Sequence, residues 1–99
     1  MVKELYNRKH RFEWDEDKNR ANIAKHGISF VDAQQAFQDK DRMIEDDASH
    51  SDCENRYYCI GYVNERIATV RFAVRRKRIR IIGAGYWRKG KRDYERKNR

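Results

Sequence analysis

Between residues 56 and 84, apolar side chains return at every second position in three successive runs, broken only by Asn64-Glu65 and Arg76-Lys77. Period two is the mark of a strand with one buried face, and a two-residue break is hairpin length. The runs predict strands over residues 56–63, 66–75 and 78–84. In the second, Ala68, Val70, Phe72 and Val74 point one way, and Thr69, Arg71 and Arg75 the other. In the third, Ile79 and Ile81 share a face, and Arg78 and Arg80 take the opposite one. The expectation is an antiparallel meander with one apolar and one arginine-bearing face. Residues 42–45 read as a weak edge strand, and 46–55 as an acidic loop.

Upstream the period is helical. Phe12-Glu13-Trp14 reads as a short strand or extended lead-in after a polar leader, residues 1–11. Asp15 is placed to cap a helix over 16–26, with Glu16 and Asp17 in its first turn and Gly27 as its stop. Ser29, with Asp32 three residues on, starts a second helix. Its face Phe30, Ala33, Ala36 and Phe37 belongs to the core. Residues 88–97 favour a terminal helix charged almost all round. The expected fold is therefore α+β: two N-terminal helices and a C-terminal helix on a twisted antiparallel sheet of about four strands. With 99 residues the chain is expected to form one domain.

Charge is distributed unevenly. Residues 75–99 hold twelve basic and two acidic side chains, whereas residues 1–74 hold twelve basic and fourteen acidic. The whole excess of +8 thus lies in one block, which points to a polyanion partner, nucleic acid above all. Within the block lies the uncharged stretch Ile81-Ile82-Gly83-Ala84-Gly85-Tyr86-Trp87. Cys53 and Cys59 make neither a disulfide framework nor a metal motif. The N-terminus has no apolar signal region, and no run reaches membrane-spanning length, so the cytosol is the expected compartment and no membrane partner is expected.

Several residues carry chemistry, each with a plainer alternative. Arg71, Arg75, Arg78 and Arg80 converge on one sheet face, where guanidinium groups suit phosphate; polar residues also belong on any exposed strand face. Lys25 and His26 close the first helix, and His26 is either a proton-transfer group or a cap on the last carbonyls. Glu54 and Arg56 share a strand face, as base and partner or as a surface ion pair. Tyr86-Trp87 either stacks on bases or anchors the last helix. Gly83 and Gly85 lack a phosphate-loop context and read as a strand bulge or bend. His10 and His50 have no evident partner. Asp46, Asp47, Asp52 and Glu54 match no metal-loop spacing, so neither metal nor cofactor is expected.

The block Phe12-Glu13-Trp14-Asp15, Lys18, Asn22, Lys25-His26-Gly27-Ile28-Ser29-Phe30 and Ala33 resembles the opening of the BrnT family of ribonuclease toxins. Looser matches follow at Glu54, Arg56, Ile60-Gly61, Arg78-Ile79-Arg80-Ile81-Ile82 and Tyr94-Glu95. The resemblance implies a RelE-like fold and a bacterial type II toxin that cleaves RNA without a metal and arrests translation. It further implies a BrnA-like ribbon-helix-helix antitoxin, and a hetero-oligomeric complex of the two on operator DNA. It assigns Lys25, His26, Glu54, Arg56, Arg75 and Arg80 to catalysis. Arg71, Arg78, Trp87, Lys89, Lys91 and Arg92 are the candidates for holding RNA. The chain departs from the family pattern at Gly83 and Gly85, where a serine and an arginine are common, and at Val74, where an acidic residue often stands. Arg88 is the candidate to supply the lost guanidinium. Two readings therefore stay open: an active endoribonuclease, or a weak or inactive homologue that only binds RNA or its antitoxin.

Overall fold

The computed structural model describes residues 11–48 and 54–99. Most of the leader, His10, His50, Asp52 and Cys53 lie outside them. Helix α1 spans Glu16–His26. The Asp15 carboxylate accepts from the amides of Asp17 (2.8 Å) and Lys18 (3.2 Å), satisfying N–H groups the helix cannot. Gly27 ends the helix at φ 73°, its amide returning to the Ile23 carbonyl. Ser29 Oγ then accepts the Asp32 amide at 3.0 Å and starts α2, Phe30–Ala33. The second helix is shorter than its spacing predicts: after one turn it tightens into a 3-10 segment, Gln34–Gln38, which still buries Ala36 and Phe37.

The strands are β1 (Phe12–Glu13), β2 (Met43–Asp46), β3 (Arg56–Val63), β4 (Arg66–Arg75) and β5 (Arg78–Gly85). They form one sheet in the order β1-β5-β4-β3-β2. The expectation of about four antiparallel strands needs correction. β2 to β5 are antiparallel neighbours, but β1 adds a fifth strand parallel to β5, with Phe12 opposite Ile79 and Glu13 opposite Arg80. Two residues carry no readable period, so only the tertiary structure reveals this pairing. The hairpin at Asn64-Glu65 and that at Arg76-Lys77 both hold two left-handed residues, the twist that suits two-residue connections.

The main core lies between the sheet and α1–α2. Phe30, Val70, Phe72, Ile79 and Ile81 are essentially inaccessible there, and Phe37 meets Phe72 edge-on at 5.0 Å. Beyond the end of β1 the edge of β5 is closed by one side chain. Asn22 Nδ2 donates to the carbonyl oxygens of Ala84 and Ile28 (both 2.9 Å), and its Oδ1 accepts the Ala84 amide at 3.1 Å. A buried carboxamide thus takes the place of a neighbouring strand, leaving Ala84 neither donor nor acceptor unpaired.

The opposite face is not wholly arginine-bearing. Helix α3, Arg88–Lys97, buries Gly90 and Tyr94 against Ile60 and Ile67, covering half of that face. Close approach requires Gly90, because a Cβ there would lie 2.0 Å from Thr69 Oγ1. The Tyr94 hydroxyl donates to Asp39 Oδ2 at 2.7 Å, and the same oxygen accepts the Tyr62 amide at 3.0 Å. Desolvation of Asp39 is outweighed by these bonds, together with one from the Asp41 amide and the nearby Arg42 charge, which hold its carboxyl below the usual range. The helix that looked charged all round carries one narrow buried seam, too short to register as a period.

Candidate nucleic-acid interface

The half of the sheet face that α3 leaves open is built in rows. One runs Glu13–Arg80–Ala73–Arg56 across β1, β5, β4 and β3. The next runs Gly83–Arg71–Tyr58–Glu45 across β5, β4, β3 and β2. Arg75 and Arg78 face each other at the end. A register shift makes this possible. Arg71 pairs with Gly83, but Phe72 pairs with Ile81, so Ile82 is the extra residue of a bulge. Strand residues three apart normally face opposite ways; the bulge puts Arg80 and Gly83 on the same face.

Two carboxylates hold most of the guanidinium groups. Glu54 accepts Arg75 Nε at 2.7 Å and Nη2 at 2.6 Å, with Arg56 Nη2 at 4.0 Å. Glu13 accepts Arg80 Nη1 at 3.3 Å and lies 3.6 Å from Arg78 Nη1. The double bond from Arg75, against the counter-effect of desolvation, keeps the Glu54 carboxyl below the usual glutamate range. Arg71 differs. It is half-buried, its Nε is buried without a partner, and among the described residues it makes no hydrogen bond or ion pair. Five arginines and two glutamates therefore form a face of net positive charge. Carboxylates hydrogen-bond Arg75 and Arg80 and lie within ion-pair range of Arg56 and Arg78, whereas none holds Arg71 among the described residues. Oriented guanidinium forks are what a phosphodiester demands, since they offer paired N–H groups in fixed directions.

The remaining candidates sit around this face. Trp87 lies over Gly85 so closely that a Cβ on Gly85 would be 2.6 Å from the indole. His26 meets the Trp87 ring edge-on at 5.2 Å, which ties the end of α1 to the start of α3. Lys25, next to it, is exposed. Lys89 lines a cavity of about 200 Å³ with Glu45, Tyr58, Thr69, Trp87 and Asp93, next to Arg71 on the sheet. Arg88 and Lys91 line a different groove, with Tyr62, Arg66 and Tyr86. Tyr86 stacks under the Arg66 guanidinium, 3.8 Å from the ring centre, and donates to the Val63 carbonyl. Arg92 is exposed on α3. Among the described residues no three histidine, cysteine or acidic side chains are placed to share a metal. Cys59 is a buried free thiol, its pKa pushed far up by desolvation.

Sequence reasoning missed Glu13, Glu45 and Tyr58. Glu13 was visible only within a short strand or lead-in and the family-like block, because its role depends on the parallel β1–β5 pairing. Glu45 and Tyr58 enter through β2–β3 register, and the alternation of Tyr58 with Arg56 was the one available signal.

Taken together, these features define an α+β domain that presents a positively charged arginine face beside a C-terminal helix. The family model for BrnT, the ribonuclease toxin of type II toxin-antitoxin systems, matches residues 14–90, most of the chain. The chain belongs to that family, and a toxin of this type has an antitoxin as partner. No curated protein matches the chain significantly.

Proposed function

We propose that the protein is a metal-independent endoribonuclease toxin that acts in the bacterial cytoplasm, arrests translation by cutting RNA, and has a RelE-like fold. The observation that carries the reading is the arginine face, where Glu54 and Glu13 hydrogen-bond Arg75 and Arg80, stand beside Arg56 and Arg78, and leave Arg71 without a carboxylate among the described residues. In the proposed reaction the RNA 2′-oxygen bonds to phosphorus and loses its proton to a base. The P–O5′ bond breaks and O5′ takes up a proton. The products are a 2′,3′-cyclic phosphate and a 5′-hydroxyl. Negative charge grows on the non-bridging oxygens, and Arg71, Arg80, Arg56 and Arg75 stabilise it. Glu54 is held ionised by Arg75, so it acts as a positioning residue. His26, beside Trp87, is the proton-transfer group, an imidazole being suited to this near neutral pH. Lys25 and the α3 cations Arg88, Lys89, Lys91 and Arg92 draw in the RNA backbone.

A BrnA-like ribbon-helix-helix antitoxin neutralises the toxin in this account, and the hetero-oligomer represses its operon through operator DNA. A second reading is favoured by Gly83 and Gly85. No hydroxyl or guanidinium extends from that stretch, and Trp87 occupies the space beside Gly85. It makes the chain an RNA- or antitoxin-binding module with little cleavage. One experiment separates the two: purified protein with a labelled single-stranded RNA in EDTA, beside the same RNA with 2′-deoxy residues. The proposal expects fragments ending in 2′,3′-cyclic phosphate from the first substrate only. Binding with no fragments would establish the second reading.

A further inference from the structure

The cavity beside Arg71 has a chemistry of its own. Tyr58, Ile60 and Thr69 line it from the sheet, and Trp87 and Gly90 line it from the start of α3. At about 200 Å³ it is smaller than the roughly 300–1,000 Å³ of pockets for drug-sized ligands, and suits one planar ring. Two aromatic side chains line it, the usual platform for an unpaired base. Three charged groups edge it. Asp93 Oδ2 accepts Lys89 Nζ at 2.7 Å, which engages one of the three ammonium donors. Asp93 first, and Glu45 to a lesser degree, stabilise the charged form of Lys89. Glu45 itself makes no hydrogen bond or ion pair among the described residues.

We propose that this cavity is a nucleobase pocket selecting guanine on the nucleotide whose phosphate Arg71 holds; the link to cleavage rests on the ribonuclease reading. Glu45, Tyr58 and Arg71 are consecutive cross-strand neighbours, so Glu45 and Arg71 stand two strand spacings apart, about 10 Å. That is about the span from a nucleotide's phosphate to the far edge of its purine. An ionised carboxylate only accepts, through two oxygens, and an ammonium only donates. Guanine presents the complement in sequence: the O6 acceptor for Lys89, then N1–H and N2–H for the two oxygens of Glu45. Uracil sets a carbonyl against one carboxylate oxygen. Adenine and cytosine set a ring-nitrogen acceptor against it and a donor against Lys89. Mismatched groups of this kind exclude the wrong base more strongly than added contacts favour the right one.

The test is binding, so its outcome is independent of cleavage. The ¹⁵N-labelled chain is titrated with GMP, AMP, CMP and UMP while the two indole N–H resonances are followed. Trp14 Nε1 is bonded to Glu16 at 3.2 Å at the start of α1, the opposite end of that helix from His26 and Trp87, and serves as an internal reference. The Trp87 signal should shift saturably with GMP, at about tenfold lower concentration than with the other three. In Glu45→Gln, and separately in Lys89→Met, the four nucleotides should fall within about twofold of each other. Equal response to all four in the native chain, or a guanine preference surviving both substitutions, overturns the proposal. Neither result touches the ribonuclease reading, which the cleavage assay decides.

Discussion

Glu54 grips Arg75 through both carboxylate oxygens, at 2.6 and 2.7 Å, while Arg56 stands 4.0 Å from the same group. The pair is part-exposed, Arg75 by 45%, so its worth to stability is small. Its larger effect is to aim a guanidinium. Glu54→Gln should therefore cost at most about 1 kcal/mol in urea unfolding, yet strengthen salt-sensitive RNA binding, because one anion leaves a basic face. The pH dependence has a fixed sign. The folded carboxyl sits below the ordinary value of about 4.3, so its stabilisation is complete above that pH and fades as pH falls through the lower folded value. The stability gap between native protein and variant should be flat from neutrality to about pH 5 and close below about pH 4.

Asn22 closes the open edge of β5 with its carboxamide. Asn22→Ala strands the buried Ala84 amide and carbonyl, at about 1–3 kcal/mol for each unsatisfied group. The expected loss is about 2–6 kcal/mol by denaturant unfolding. A loss below about 1 kcal/mol would show that the side chain does not substitute for a strand.

Contact between α3 and the sheet is set by Gly90 against Thr69. Gly90→Ala should destabilise by about 1–3 kcal/mol through overpacking. In a Thr69→Ala background the same change should be near neutral or mildly stabilising, since alanine is the better helix former. Additive effects in this double-mutant cycle would contradict the close approach.

The Arg76-Lys77 hairpin holds two side-chain-bearing residues at φ 50° and 64°. Replacing them with Asn-Gly should stabilise the protein by about 1–2 kcal/mol, by relieving left-handed backbone strain. It should also weaken RNA binding and lower its salt dependence, because two cations next to Arg75 and Arg78 are lost. Melting and filter-binding titrations across salt check the two effects separately.

Much of this arrangement was legible in the chain. Asp15, Gly27 and Ser29 mark helix ends by local hydrogen bonding, and the two hairpin breaks separate strands of period two. What stayed hidden depends on distant pairing. The parallel β1–β5 contact brings Glu13 to Arg78 and Arg80, and two residues have no pattern to betray it. Asn22 stood out only as part of the family-like block, and its structural role stayed hidden because its partner Ala84 belongs to β5. The covering of half the arginine face by α3 rests on Gly90 and Tyr94 alone, embedded in a run of cations. The Ile82 bulge was foreshadowed only by the glycines that follow it.

The central claim is that phosphate is held on the open sheet face, with Arg71 its uncommitted anchor. The most direct measurement is the single-turnover rate of RNA cleavage in EDTA for the native chain, Arg71→Ala and Arg20→Ala. Arg20 lies on the exposed side of α1, away from the face, and serves as a charge-matched control. The account predicts a fall of about 100-fold for Arg71→Ala with folding unchanged, and a rate within about twofold of native for Arg20→Ala. Equal rates for all three proteins would contradict it.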